Sequence, residues 1–411
     1  KTIEFLIDRR YCPTHPFMVS TDGEKTWVGK STIDDACKAA GNGNIIIEVC
    51  ENISVSSLSS SLGYKTVTIR SNLDEESTRT ITVTANASFD VYNNGKLVLS
   101  NVAFNLLPSA NISKFASLGV SANNMDGSIE IKENVEFSGK VTGGFIQNEN
   151  GNDGTLHTHI TINGGTIKDL TAGYSLISAP GDASFSVKNL TISDFNSKAA
   201  SSDTRTGALA GTCIAAEIKD CTLSGSMVIR SKTSGGLVGA LYGCEVSGCV
   251  QNADITSHGA TATEAGGLFG YVDEYDGNYT VISNCVLKNS VSITTGQNFI
   301  GGLVGYPEGG STVANSYNTG AVTGGSSAKN VGVLSRANEL TRLRERQVNF
   351  IVLVWHRGLH LQRTGRLWQL LEAAPEIDLV ICAHNYKKHF GSLKNLNYGD
   401  LISFTDIDGN I

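Results

Sequence analysis

Gly235-Gly236-Leu237-Val238-Gly239, Gly266-Gly267-Leu268-Phe269-Gly270 and Gly301-Gly302-Leu303-Val304-Gly305 repeat one phrase, a large apolar residue held between glycines. Thr206-Gly207-Ala208-Leu209-Ala210-Gly211 is an earlier version, and Asn330-Val331-Gly332-Val333-Leu334 a degraded later one. Recurrence at about 30 residues belongs to repeat architectures, in which each unit buries its apolar face against the next. The phrase predicts that Leu209, Leu237, Leu268 and Leu303 point inward and stack. The flanking glycines permit tight packing or unusual φ. Cys221, Cys249, Cys285 and then Ser316 follow at similar offsets, which predicts a second ladder of small inward side chains.

Outward from these copies runs a second pattern: apolar, any, apolar, two turn-like residues, apolar, any, apolar. Leu97 to Phe104, Phe185 to Ile192, Ala216 to Leu223 and Thr280 to Leu287 fit it. Ile129 to Phe137 fits with one extra residue, and His159 to Ile167 more loosely. Alternation places every second side chain on one face, as a strand requires. Asn or Asp in the two-residue break can adopt the left-handed conformation and turn the chain through a corner. A chain that does this once per coil winds into an all-β parallel β-helix, expected to run from Asn44 to Leu334.

At the N-terminal side, Ser31 to Ala40 reads as a short helix. Ser31 or Thr32 can cap it, acidic residues fill its first turn, and Gly41 and Gly43 follow it. The apolar run Ile45 to Val49 is then a strand. A small helix suits the first coil, which otherwise exposes core and strand edges.

Composition agrees with a turn-rich β chain. The 45 glycines stand against 6 prolines, and charged residues are 17%, below the usual ~25% of soluble domains. The net charge of −7 argues against nucleic acid as main partner, because phosphate binding needs clustered Lys and Arg. No apolar run is long enough for a membrane-spanning helix. No signal-peptide pattern is visible at the start, which carries no weight for a mature or partial product. The nine cysteines form no CxxC pair; most are read as small buried residues, and their disulfide status is left open.

The stretch 206–334 resembles the GLUG-motif repeats of bacterial surface proteins, in which G-G-L-V-G recurs beside an S-N-C-like segment. The earlier coils and their lid helix look like a right-handed β-helix of the pectate-lyase type. The resemblance implies an exported, cell-surface or wall-associated bacterial protein; it names no ligand.

After Ser335 the character changes. Arg336, Arg342, Arg344 and Arg346 crowd together, Trp355 and Trp368 follow, and glycine nearly disappears. The segment 336–377 reads as a helical linker or as a junction where the reading frame is faulty. Beyond it, Asp378 to Tyr386, His389-Phe390-Gly391, Tyr398-Gly399-Asp400 and Phe404 to Gly409 resemble the part of a sortase transpeptidase around its catalytic histidine, with His384 at that position. Sortase chemistry also needs a cysteine thiolate from a T-L-x-T-C segment and an arginine for the oxyanion. The sequence to Ile411 has neither, so this small α/β piece is expected to be inactive, and Cys382 is read as structural.

Within the solenoid the densest acidic cluster is Asp273, Glu274 and Asp276, in an inserted loop with Tyr271, Tyr275 and Tyr279. Acidic and aromatic side chains together can hold a sugar or calcium, although the spacing lacks the calcium-loop pattern, and a plain solvated loop is the simpler reading. His157 and His159 share a strand face, but two histidines do not make a metal site. Neither a metal nor a cofactor is expected.

The resulting organisation is an irregular segment 1–22, a β-helix 23–335 with a capping helix, a junction 336–377, and a sortase-like fragment 378–411. The expected role is an adhesin-like display module meeting glycans, host matrix or neighbouring cells. The alternatives are a carbohydrate-active β-helix enzyme of lyase or esterase type, or a role set by the sortase-like tail. Oligomeric state stays open.

Overall fold

The structure, a computed structural model, describes residues 15–334 apart from 40, 73–77, 120–125, 149–157, 179–182, 199–204, 258–263, 289–290, 294–298, 309–310, 319–321 and 324–329. The chain divides into two compact units, Lys1–Ile351 and Val352–Ile411. The first fourteen residues, the arginine-rich junction and the sortase-like fragment with Cys382 and His384 lie outside the described residues.

Among the described residues the fold is a parallel β-solenoid. One sheet takes a strand from each successive coil, from Gly43–Val49 through Lys65–Ser71 and Gly95–Ser100 to Val281–Ser283 and Thr312–Ala314. The register holds across coils: Leu97 pairs with Ile129, Ile129 with Ile160, and Ile160 with Phe185. Further on, Ile218 pairs with Val246, Val246 with Ile282, and Ile282 with Val313. All of these but Val313, at the limit, are essentially sealed from solvent, so like residues stack inward as the alternation requires. The remaining strands form a second hydrogen-bonded system over the rest of each coil.

The expected corner chemistry is present. Asn101, Asn134, Asn189, Asp220, Asn284 and Asn315 all have φ between 47° and 56°, the left-handed region that Asn and Asp tolerate best. Their backbones join coil to coil: Asn189 N–H donates to Lys219 O at 3.1 Å, Asp220 to Ser247 O at 2.9 Å, and Asn284 to Ala314 O at 3.1 Å. Asn134 is the extra residue of its coil, and it takes the same conformation.

The leucine ladder also stands. Leu209 N–H donates to Leu237 O at 2.9 Å, Leu237 to Leu268 O at 2.9 Å, and Leu268 to Leu303 O at 3.1 Å, with all four side chains buried. The first glycine of the phrase is where a Cβ would strike the carbonyl three residues ahead: Gly235 against Val238, Gly266 against Phe269, Gly301 against Val304. The last glycine lies against the equivalent backbone of the coil before, Gly239 on Gly211 O and Gly270 on Gly239 O. Close approach, more than unusual φ, makes glycine obligatory in this phrase.

Cys221, Cys249 and Cys285 stack with Ser316, and each donates to the carbonyl two residues before it. Contact with Cys221, then burial, pushes the Cys249 thiol far up, and contact with Cys249, then burial, does the same for Cys285. A second small-residue column runs five positions earlier. Ala216 N–H meets Cys244 Sγ at 3.4 Å, Cys244 N–H meets Thr280 Oγ1 at 3.1 Å, and Thr312 N–H meets the Thr280 carbonyl at 2.8 Å. The seven described cysteines are buried, and Cys37, Cys213, Cys221, Cys244, Cys249 and Cys285 are free thiols.

The N-terminal end is closed as expected. Thr32 caps the helix Ile33–Cys37, its Oγ1 accepting from Asp35 N–H at 3.1 Å. Asp34 accepts from Ser60 at 3.0 Å, which ties the helix to the strand Ile53–Ser61. The strands Phe17–Ser20 and Val28–Lys30 add antiparallel to the first coil and cover its other edge. That hairpin was not legible in a segment without clear period.

Candidate functional site

Directly after the glycine phrase the chain runs outward along three neighbouring strands, Val238–Tyr242, Phe269–Asp273 and Phe299–Pro307. Parallel pairing sets Ala240 beside Tyr271 and Tyr271 beside Tyr306, and sets Tyr242 beside Asp273. Glu308 N–H donates to Val272 O at 2.7 Å, which brings Glu308 alongside Asp273. A column from the preceding strands, Arg205, Thr233, Glu264 and Phe299, lies next to these residues.

The side chains form an aromatic ladder. Tyr242 and Tyr271 have ring centroids 5.7 Å apart, and Tyr271 and Tyr306 lie 5.7 Å apart and nearly parallel. Phe299 meets Tyr306 edge-on at 4.7 Å. The Arg205 guanidinium sits 5.2 Å from the Tyr242 ring centre and 5.9 Å from that of Tyr271, the geometry of a cation–π contact. Arg205 lies over the Tyr242 and Tyr271 rings, and Asp273 and Glu308 stand at the hydroxyl end of Tyr271.

Tyr271 is the centre of this surface. Its hydroxyl is in hydrogen-bonding reach of Asp273, at 3.0 Å, and of Glu308. Burial, then the two carboxylates, push its phenol well above the usual range, so it stays neutral. Burial also raises Tyr242, against the opposing pull of Arg205. Thr233 donates to Glu264 at 2.6 Å.

The five residues singled out from sequence part into two groups. Tyr271 and Asp273 belong to the ladder. Glu274, Tyr275 and Asp276 lie on a small exposed hairpin, in which Tyr275 and Asn278 exchange backbone hydrogen bonds of 2.9 Å. Asp276 and Gly277, with φ of 48° and 73°, supply the two positive-φ residues of a primed hairpin turn. Tyr275 and Tyr279 are 49% and 42% exposed. Sequence reasoning missed Arg205, Tyr242, Tyr306 and Glu308. The available signal was a tyrosine one or three residues after each of the three full glycine phrases.

His159 is exposed on the strand Thr158–Asn163, while His157 lies outside the described residues. Among the described residues no three His, Cys, Asp or Glu side chains gather where they can hold a metal, and no helix is long and apolar enough to cross a membrane.

A family model, the GLUG motif, matches residues 297–323, the coil that carries Gly301-Gly302-Leu303-Val304-Gly305 and Ser316. No curated protein and no solved structure matches the chain.

Proposed function

We propose that this chain is an adhesin-like binding and display module of a bacterial cell surface, and that the tyrosine ladder is its contact surface for glycans. The observation that carries this reading is the line Tyr242–Tyr271–Tyr306 edged by Asp273 and Glu308. The rings give apolar contact, the two carboxylates accept from sugar hydroxyls, and the neutral phenol both donates and accepts. The GLUG repeat supports a surface location through its resemblance. A glycan array probed with the full chain tests the reading, with Tyr271→Ala and the double variant Asp273→Asn/Glu308→Gln beside it. Binding should fall at least about tenfold in both, the loss of one or two charge-assisted hydrogen bonds. No glycan bound, or undiminished binding by both variants, defeats it.

The carbohydrate-active enzyme is the second reading, and it would rest on the same carboxylates, Asp273 and Glu308. Chain cleavage of any bound glycan would favour it. A role following the sortase-like tail rests on His384 and its neighbours; it requires a T-L-x-T-C segment further on, which sequencing across the codons for Ser335 to Asp378 and beyond would reveal.

A further inference from the structure

Glycine breaks the corner column of left-handed Asn and Asp twice, as the single Gly248 between Asp220 and Asn284, with φ of 67°, and as a glycine pair. Between Asn134 and Asn189 the corner is Gly164-Gly165, with φ of 105° and 95°. Two missing side chains leave a shallow notch of about 370 Å³, lined by Glu133, Asn134, Gly164, Gly165, Thr166, Asn189 and Thr191. The backbone around it is satisfied: Gly164 N–H donates to Lys188 O at 2.8 Å, Thr166 to Val135 O at 2.7 Å, and Thr191 to Gly165 O at 3.1 Å. The side chains are a different matter. Asn189 donates to Asn163 at 3.1 Å and keeps its own carbonyl oxygen for another partner. Among the described residues the Glu133 carboxylate, the Asn134 carboxamide and the Thr166 and Thr191 hydroxyls have no protein partner. Five hydrogen-bonding side chains of mixed donor and acceptor character thus converge on one gap.

We propose that this notch binds a single neutral pyranose unit. The chemistry of the lining selects among ligand classes. No Lys or Arg lines it, so an anion finds no counter-charge. No aromatic or aliphatic side chain lines it either, so an apolar ligand gains nothing by entering. A lone carboxylate falls short of the six to eight oxygens, several of them charged, that hold calcium. A polyol remains, since each ring hydroxyl both donates and accepts, matching carboxylate, carboxamide and hydroxyl in turn. Glu133 is the orienting group, accepting from two adjacent hydroxyls. With little apolar burial, the dissociation constant falls in the millimolar range. The notch sits on a different corner of the coil from the tyrosine ladder, and the inference does not depend on that ladder.

Amide-resolved NMR on the isotope-labelled full chain is the test, with methyl β-D-glucopyranoside and methyl α-D-mannopyranoside titrated separately and glucuronate as the charged comparison. Saturable shifts at Gly164, Gly165 and Thr191 are expected for at least one of the two glycosides, with glucuronate at least about tenfold weaker. Glu133→Gln should weaken binding about tenfold, as expected for loss of a charged acceptor, and Thr191→Trp should abolish it by filling the notch. Tyr271→Ala should leave the shifts intact. Absence of saturable shifts at these amides for both glycosides overturns the proposal. So does an unweakened Glu133→Gln, or glucuronate bound as tightly as the glycosides.

Discussion

The coils before Asn148 and those after Thr206 wind in the same way but fill their interior differently. The earlier coils are packed with rings: Phe115 stacks on Phe145 at 4.8 Å, Phe104 on Phe137 at 5.6 Å, and Phe89 meets Phe115 edge-on at 5.5 Å. The later coils hold leucines, thiols and hydroxyls in columns, with the backbone of one coil drawn against the next at the glycines. The difference teaches that a solenoid can be stabilised by bulk or by closeness. In the first region removing atoms should hurt most; in the second, adding them should.

The largest effect is expected from Phe115→Ala, which empties the centre of the ring cluster and should cost about 3–5 kcal/mol. In a solenoid each coil contacts only its neighbours, so hydrogen exchange should show the loss concentrated between Phe89 and Leu176. A uniform loss reaching the glycine-phrase coils would erase the distinction between the two regions. Gly266→Ala comes next. Its new methyl meets the Phe269 carbonyl and the Gly305 backbone, and overpacking of this kind costs about 1–3 kcal/mol. A neutral result in urea unfolding would show that close approach is not what selects glycine there.

Cys249→Ser should be smaller, within about 1.5 kcal/mol, because Ser316 already fills this column and donates to Ala314 O at 2.8 Å. The Cys249 and Cys285 thiols, buried and with titration pushed upward, should resist alkylation in the native protein and react once it is unfolded. Rapid native labelling of Cys249 or Cys285 would contradict the sealed column. The smallest effect concerns Glu217, bridged by Lys219 at 2.5 Å and Lys188 at 2.9 Å. Hydrogen bonds from these lysines lower its carboxyl from 4.5 to about 2. A carboxyl depressed in the folded state stabilises above its unfolded value, and that contribution fades as pH falls from 4.5 toward 2. Being partly exposed, the group contributes at most a few tenths of a kcal/mol. Glu217→Gln should flatten the stability profile in that window and change little at neutral pH.

Much of the fold was legible because β-solenoid geometry writes itself into the sequence twice. Alternation marks the inward residues of Phe185 to Ile192 or Ala216 to Leu223, and the Asn or Asp between them marks the corner. The helix start was legible for a local reason, the Thr32 hydroxyl one residue before the acidic turn. The antiparallel strands Phe17–Ser20 and Val28–Lys30 were not, since they are too short for a period to show. The second column through Ala216, Cys244 and Thr280 escaped notice because its members differ in type and share only small size.

The site was less legible than the frame. Tyr271 and Asp273 stood out by local density, and the same density drew in Glu274, Tyr275 and Asp276, which lie on the exposed hairpin that adjoins the ladder. Arg205 and Glu308 lie far from Tyr271 in the chain, and nothing local marks either. By itself the sequence determined the winding, the inward columns and the corners, because each depends on residues two to five positions apart. Only the tertiary structure decided which outward side chains meet. Such neighbours are a whole coil apart in sequence, and the length of each intervening loop sets their register.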